Sequence, residues 1–362
     1  MTETKKIRVL VVDDSAIVRK VLTDVLNQQP DIEVVGTAPD AFVARDKIVS
    51  LRPDVLTLDV EMPRMDGLTF LEKLMKHYPL PVIVVSSLTQ SSTRAALEAL
   101  NRGAVDVLAK PGGPYSVADL KDDLPQRVRA AAAARIRRNG TPAPAPAPRP
   151  ASSPSAPVQA RAAAGGAPPQ QVIAIGASTG GTVAIEHVLA ALPAEMPPIV
   201  ITQHIPPGFS TTFAQRLNKV CAMEVKEAEG GERLENGLAL VAPGNRHLEI
   251  ERVPGGGWRT RLHDGPKVCY QRPSVDVLFR SVARETGPHA IGVLLTGMGA
   301  DGAAGLLEMR RAGADTIAQN EETCVVFGMP REAIRLGAAQ QVLPLGEIAG
   351  ALLRRVRVSV PA

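Results

Sequence analysis

Residues 173–181 read IAIGASTGG. An apolar run of strand character drives into a glycine turn, and Ser178 sits at its tip. The segment GASTG satisfies G-x-S-x-G, a strand–turn–helix elbow that exposes a serine hydroxyl at the edge of a parallel sheet. Glycine belongs where a side chain would crowd such a turn. By itself the stretch fits three readings: a nucleophile, a serine N-cap of the following helix, or a glycine-rich anion loop. The spacing Gly176, Gly180, Gly181 matches neither the dinucleotide fingerprint nor a phosphate-binding Walker loop.

Outward from this turn the same grammar repeats. QVIAIGAS, PPIVITQH, GLALVAPG and AIGVLLTG read as strands, with GADTIAQN and CVVFGM as shorter ones. Segments near 182–192, 210–219, 274–285 and 302–311 read as helices, and HLEIERVPGGGWRTRL as a β-hairpin. Strands separated by helices predict a parallel sheet covered on both faces, here over residues 171–362. A nucleophilic serine needs a base and an orienting acid. His187 lies in mid-helix, His263 follows the hairpin, His289 precedes a strand, and His247 is open between a binding role and solvent. His204 ends PIVITQH, so it emerges at the same strand edge as Ser178, as a base or as a structural histidine. Asp301 follows IGVLLTGMGADG at a third strand end. The chain order serine, histidine, aspartate differs from the α/β-hydrolase order.

Ahead of this unit, residues 126–170 form a linker, much of it built from Ala-Pro repeats and Gly/Ser stretches, a semi-stiff polyproline-like tether. Residues 1–125 alternate strand and helix signals again. IRVLVV leads to Asp13 and Asp14, DVLTLD ends at Asp59, PVIVVSS ends at Ser86 and Ser87, and AVDVLAK ends at Lys110. Ligands gather at the carboxyl edge of open parallel sheets. Three carboxylates converging there repel one another unless a cation joins them, and an all-oxygen set suits Mg²⁺. Singly, each aspartate is more readily read as a solvated loop residue or a helix cap than as a metal ligand.

Composition sets bounds. With 362 residues the chain is long enough for two domains, and 45% hydrophobic residues suffice for two cores. The formal net charge of +4 gives no argument for nucleic acid. Three scattered cysteines, Cys221, Cys269 and Cys324, have no metal-ligand spacing and suit a reducing cytoplasm. The opening MTETKK lacks signal-peptide character, and no apolar run is long enough to span a membrane.

VVDDSAIVR, LDVEMPRMDG, VVSS and AKP together resemble the receiver domain of bacterial two-component response regulators over about residues 5–125. The resemblance implies a flavodoxin-like fold, Asp59 as phospho-acceptor, Asp13 and Asp14 with Asp59 as the Mg²⁺ site, Ser86 (or adjacent Ser87) as switch hydroxyl, and Lys110 on the phosphoryl group. The Lys110–Pro111 peptide is expected to be cis. IGASTGG, QHIPPGFSTTFAQRL, APGNRH, RPSVDVLF, IGVLLTGMGADGAAGL and CVVFGMPREAI resemble the catalytic domain of the chemotaxis protein-glutamate methylesterase family over about 171–357. That resemblance implies Ser178 as nucleophile, His204 as base, Asp301 as orienting acid, Thr179 beside the site and Met298 near the oxyanion. Lys267, where proline is expected, and Asn320, where aspartate is usual, depart from the pattern.

The expected architecture is therefore two doubly wound parallel-sheet α/β domains. The implied activity is removal of methyl esters from receptor glutamates and deamidation of receptor glutamines. The implied partners are methyl-accepting chemotaxis receptors and a chemotaxis histidine kinase, with no nucleic acid, no membrane insertion and no cofactor for hydrolysis. Three rivals stand beside it: a DNA-binding response regulator, a dinucleotide-binding module centred on Gly176, and a catalytically silent, phosphorylation-dependent binding partner.

Overall fold

The computed structural model describes residues 5–111, 116–136 and 170–356. The Ala-Pro tether lies outside the described residues. The first unit runs β1 (Ile7–Val12), α1 (Ala16–Asn27), β2 (Ile32–Ala38), α2 (Ala41–Leu51), β3 (Val55–Asp59), α3 (Gly67–His77), β4 (Val82–Ser86), α4 (Gln90–Asn101), β5 (Asp106–Ala109) and α5 (Val117–Ala132). Its five strands are all parallel in the order β2-β1-β3-β4-β5. The order reverses between β1 and β3, which opens a crevice at the strand ends that carry Asp13 and Asp59.

The helices begin where the sequence supplies caps. Ser15, Asp40, Asp66 and Thr89 each accept a backbone N–H in the first turn, and Ser116 forms a reciprocal capping box with Asp119. Placing the end of this unit at 125 cuts α5, which continues to Ala132. Pro125 has no N–H to donate to the preceding turn, a usual reason for ending a helix. Here Leu120, Leu124, Val128 and Ala131 keep one helical stripe buried through it, and that burial carries the helix past the missing bond.

The second unit continues with β6 (Val172–Ala177), α6 (Gly181–Ala190), β7 (Ile199–Gln203), α7 (Phe209–Val220), β8 (Glu224–Glu227), β9 (Leu238–Val241), β10 (His247–Arg252), β11 (Trp258–His263), α8 (Val275–Thr286), β12 (Ala290–Leu294), α9 (Ala303–Arg311), β13 (Asp315–Gln319), α10 (Met329–Arg335), β14 (Gln341–Leu343) and α11 (Leu345–Arg355). Seven parallel strands lie in the order β14-β13-β12-β6-β7-β9-β8, and β10–β11 is the expected antiparallel hairpin. All six residues of β6 are buried, as a central strand covered on both faces requires. The chain enters at β6, proceeds to β7 on one side and later returns to β12 on the other. The crevice at the ends of these three strands is the second switch point.

Three local expectations are corrected. CVVFGM is not a strand, since Phe327 makes a single bridge to Gly297 and the chain then enters α10. Strands β8 and β14 were not expected; each is only three or four residues long and lies at a sheet edge. Among the described residues the cis peptide is Arg272–Pro273, not Lys110–Pro111. No helix among the described residues is long and apolar enough to cross a membrane.

Candidate active site

Parallel register places Ala177 beside Gln203, so the next residues, Ser178 and His204, leave adjacent strands together. The His204 N–H donates to the Ala177 carbonyl at 3.1 Å. Gln203 ties the two turns more closely: its Nε2 donates to the Ser178 carbonyl at 2.9 Å and to the His204 carbonyl at 3.1 Å. From the third strand, the Ser178 N–H donates to the Thr296 carbonyl at 3.0 Å. Gly297 is pressed against the elbow, and a Cβ on it would lie 2.7 Å from Ser178 Cβ. Only glycine fits there, which brings the Met298 turn up to Ser178.

Asp301 meets His204 from the far side of the crevice. Its Oδ2 lies 2.7 Å from His204 Nε2, with both side chains buried. The same Oδ2 accepts the Val275 N–H at 2.7 Å, while Oδ1 accepts the Ser274 hydroxyl at 2.8 Å and the Asp276 N–H at 3.0 Å. The carboxylate thus sits on the N-terminus of α8, where free N–H groups and the helix dipole favour an anion. Burial works to raise its pKa, yet the bond and charge of His204, the Asp276 N–H and the Ser274 hydroxyl hold it below the usual carboxylate value. Asp301 is an ionised, fully bonded partner that fixes Nε2 of His204. Among the described residues no hydrogen bond joins the Ser178 hydroxyl to His204.

His247 is neither solvent-facing nor in contact with the crevice through its own ring nitrogens. It is wholly buried, receives the Ser274 N–H on Nδ1 at 3.2 Å and lies 3.0 Å from the Pro266 carbonyl through Nε2. Those contacts require one neutral tautomer. Burial lowers its pKa, and the nearby His263 and Arg272 push the same way against the bond to Pro266 and the charge of Asp301. The unfolded chain therefore binds the proton more readily. The stabilisation is complete above about pH 6.5, where unfolded histidine is neutral, and is lost as pH falls below that value. His247→Gln is expected to flatten the fall in melting temperature between pH 7 and 5.5 relative to the parent chain. Parallel melting curves that differ by the same amount at every pH would refute this.

In the first unit, the ends of β1 and β3 bring oxygens of Asp13, Asp14 and Asp59 within 4.8 Å of one another. Asp13 and Asp59 are buried, and Asp14 is exposed. Burial, with Asp13 beside it, pushes the Asp59 carboxyl up to about 6 against the bond from Lys110. Lys110 Nζ lies 2.7 Å from Asp59 Oδ2 and 2.9 Å from Asp13 Oδ2. Three crowded carboxylates, two of them buried and held above their ordinary pKa by burial, are the donor set a hard divalent cation satisfies, so these residues fit Mg²⁺. Ser86 is buried at the end of β4 and donates to the Ser92 carbonyl at 3.1 Å. Ser87 instead reaches the Ser92 hydroxyl and Glu61.

Both halves have relatives. The family profile described as CheB methylesterase matches residues 173–352, and that of the response regulator receiver domain matches 9–120. A protein-glutamate methylesterase/protein-glutamine glutaminase of Syntrophus aciditrophicus is 54% identical over 351 residues, covering 97% of this chain and 99% of the relative. The protein of that name from Escherichia coli K12 is 51% identical and covers 97% of each chain. The chain belongs to the CheB methylesterase family. The crystal structure of the Thermotoga maritima CheB methylesterase catalytic domain matches with a TM-score of 0.50 and 39% identity, over 51% of this chain and 98% of that one.

In this family member the strand-end residues Ser178, His204 and Asp301 come together at one crevice, and Asp13, Asp14, Asp59 and Lys110 at another. Thr179 does more than stand beside the site. It is buried, and its hydroxyl donates at 2.9 Å to Asp106 Oδ2, at the start of β5 in the receiver. Arg127 on α5 holds the other oxygen of Asp106 at 2.6 Å. The receiver therefore packs through α4, β5 and α5 against the esterase crevice. Arg216 on α7 donates to the Leu97 carbonyl of α4 at 3.3 Å, and the Arg135 N–H donates to the Val325 carbonyl at 3.0 Å. Sequence reading missed Gln203, Ser274 and Asp106. Ser274 was open to detection as a cap before the amphipathic run that forms α8, whereas no local signal marks Asp106.

Proposed function

We propose that this chain is a phosphorylation-controlled hydrolase that removes methyl esters from glutamates of methyl-accepting chemotaxis receptors and deamidates receptor glutamines in the cytoplasm. The observation that carries the reading is the buried, saturated His204–Asp301 pair one strand away from Ser178. With Nε2 directed to Asp301, Nδ1 is the nitrogen left to take the Ser178 proton. The Ser178 oxygen then adds to the ester carbonyl, and backbone N–H groups at Thr179 and Met298 stabilise the oxyanion. His204 returns the proton to the leaving methoxide, so methanol departs and the glutamyl group stays on Ser178. Water, deprotonated by His204, releases the glutamate. An amide enters the same sequence with ammonia as the leaving group.

In the receiver, Asp59 accepts the phosphoryl group from a chemotaxis histidine kinase, with Asp13 and Asp14 helping to hold Mg²⁺ and Ser86 and Lys110 contacting the phosphoryl oxygens. Bound there, Mg²⁺ neutralises phosphoryl charge. Lys110 bridges Asp13 and Asp59, so a phosphoryl group at Asp59 redraws contacts on the β4–β5 side that carries the docked face. Methanol release from methylated receptor is expected to rise at least about fivefold with a phosphodonor, and Asp59→Asn to remove the response. The 171–362 fragment is expected to match the phosphorylated chain. Equal activity of the fragment and the unphosphorylated chain would refute inhibition by covering.

A further inference from the structure

We infer that Lys267 and Arg272 form a basic corner that recognises carboxylates on a helical substrate segment, and that α5 is an intramolecular helix held in that segment's place. The inference rests on the esterase reading above. Helix α5 has 16 residues, a length of about 24 Å, and its Asp119, Asp123 and Arg127 line a cleft shared with Ile205 of the esterase. At its start, Asp119 Oδ1 is 3.3 Å and Asp122 Oδ2 is 3.8 Å from Lys267 Nζ. In its second half, Arg127 grips Asp106, which holds Thr179, the residue after Ser178. Just past its end, Ala133 and Arg135 line a groove with Met298, Gly299 and Val325. The helix and the residues just past it thus reach from the Lys267 cleft beside Ile205 to the Met298 groove, with the acidic end on a lysine.

The esterase side of that end is built for anions. One cleft is lined by Asp119 of the receiver and by Ile205, Lys267, Tyr270 and Arg272 of the esterase, and Ile205 directly follows His204. The Arg272 guanidinium donates to Asn245 Oδ1 and to the carbonyls of Asp264 and Gly265. These are neutral acceptors, so among the described residues Arg272 has no ion pair of its own, while Asp119 and Asp123 of the receiver line the same cleft. The loop is anchored to the chemistry: the Pro266 carbonyl meets His247, which holds the Ser274 N–H, and the Ser274 hydroxyl holds Asp301. A carboxylate-bearing helix entering in place of α5 would exchange Asp119 and Asp122 for its own acids. Complementary charge of this kind sets specificity and encounter rate more than raw affinity, and it makes α5 a competitor of the substrate as well as a cover.

The test uses the full chain without phosphodonor and two helix-forming peptides, each with one glutamyl methyl ester. One carries glutamates three and four residues away, and the other carries alanines there. Methanol release gives kcat/KM for each. The parent chain is expected to favour the acidic peptide about fivefold. Asp119→Asn with Asp122→Asn keeps the cap geometry, removes the competing charge, and is expected to speed the acidic peptide several-fold with its preference intact. Lys267→Ala releases the same latch, so the alanine peptide also speeds up, but the acidic preference collapses toward one. A Lys267→Ala chain that keeps the full preference, or an aspartate-to-asparagine pair with no gain, overturns the inference. If no variant releases methanol, the esterase reading fails. Fluorescence anisotropy of the labelled acidic peptide still reports whether Lys267→Ala weakens its capture.

Discussion

Ser178→Ala is expected to abolish methanol release, with a loss of kcat on the order of 10⁵–10⁶, while phosphoryl uptake at Asp59 continues unchanged. The size follows from the proposed chemistry: without the hydroxyl no acyl-enzyme can form, and the His204–Asp301 pair is left with only water to activate. The selectivity follows from packing. The Ser178 side chain is half-buried and makes no hydrogen bond to another described residue. Its removal therefore strands no buried donor or acceptor, and stability is expected to stay within about 0.5 kcal/mol of the parent. The Ser178 backbone bonds to Thr296 and Gln203 hold the elbow independently of that side chain. Methanol release, a melting curve and labelling from a small phosphodonor, measured on one preparation, separate the two domains cleanly. A variant that retains turnover within tenfold of the parent removes Ser178 from the nucleophile's role.

Much of this site is legible in the sequence because parallel α/β sheets turn a one-dimensional pattern into a spatial one. A polar residue directly after an apolar run lies at the carboxyl edge, and residues at the same edge of neighbouring strands are neighbours in space. That rule brought Asp13, Asp59 and Lys110 to one crevice and Ser178, His204 and Asp301 to another. It fails where a contact is made by something other than a strand end. Asp106 lies at the opposite end of β5 from Lys110 and acts across a domain boundary, which no periodicity encodes. His247 begins a hairpin strand that on alternation alone has one wet face; the packing of the 264–272 loop buries it instead. CVVFGM reads as a strand by composition, but its one bridge to Gly297 goes to the turn after β12, so it serves the Met298 loop rather than the sheet. Lys267 departs from the family pattern in a surface loop, and among the described residues its ion-pair partners are Asp119 and Asp122 of the docked receiver.

Asp301→Asn is the second large effect, and its cause is a geometry with no room for an amide. Each carboxylate oxygen receives donors: Oδ2 from His204 Nε2 and the Val275 N–H, Oδ1 from the Ser274 hydroxyl and the Asp276 N–H. Whichever position the new NH₂ takes, it faces a backbone N–H at the first turn of α8, and one buried donor loses its acceptor. That loss is expected to lower stability by about 1–3 kcal/mol. If the NH₂ points at His204, Nε2 must accept rather than donate, and the proton moves to Nδ1. The nitrogen left to take the Ser178 proton is then a donor and no base. If the amide oxygen stays on His204, the tautomer survives but the charge that balances the imidazolium does not. Together these give an expected fall in kcat on the order of 10⁴, with binding of the acidic peptide unchanged because Lys267 and Arg272 are untouched. Asp301→Glu does not restore the rate, since the longer side chain cannot meet all four donors at once. The pH profile is the sharper readout. In the parent chain Asp301 stays ionised throughout the neutral range, because its pKa lies below the usual carboxylate value, so its own titration adds no limb there. Kinetics of Asp301→Asn that match the parent at every pH would show that His204 works without an orienting acid, and the hydrolytic assignment would then need a different base.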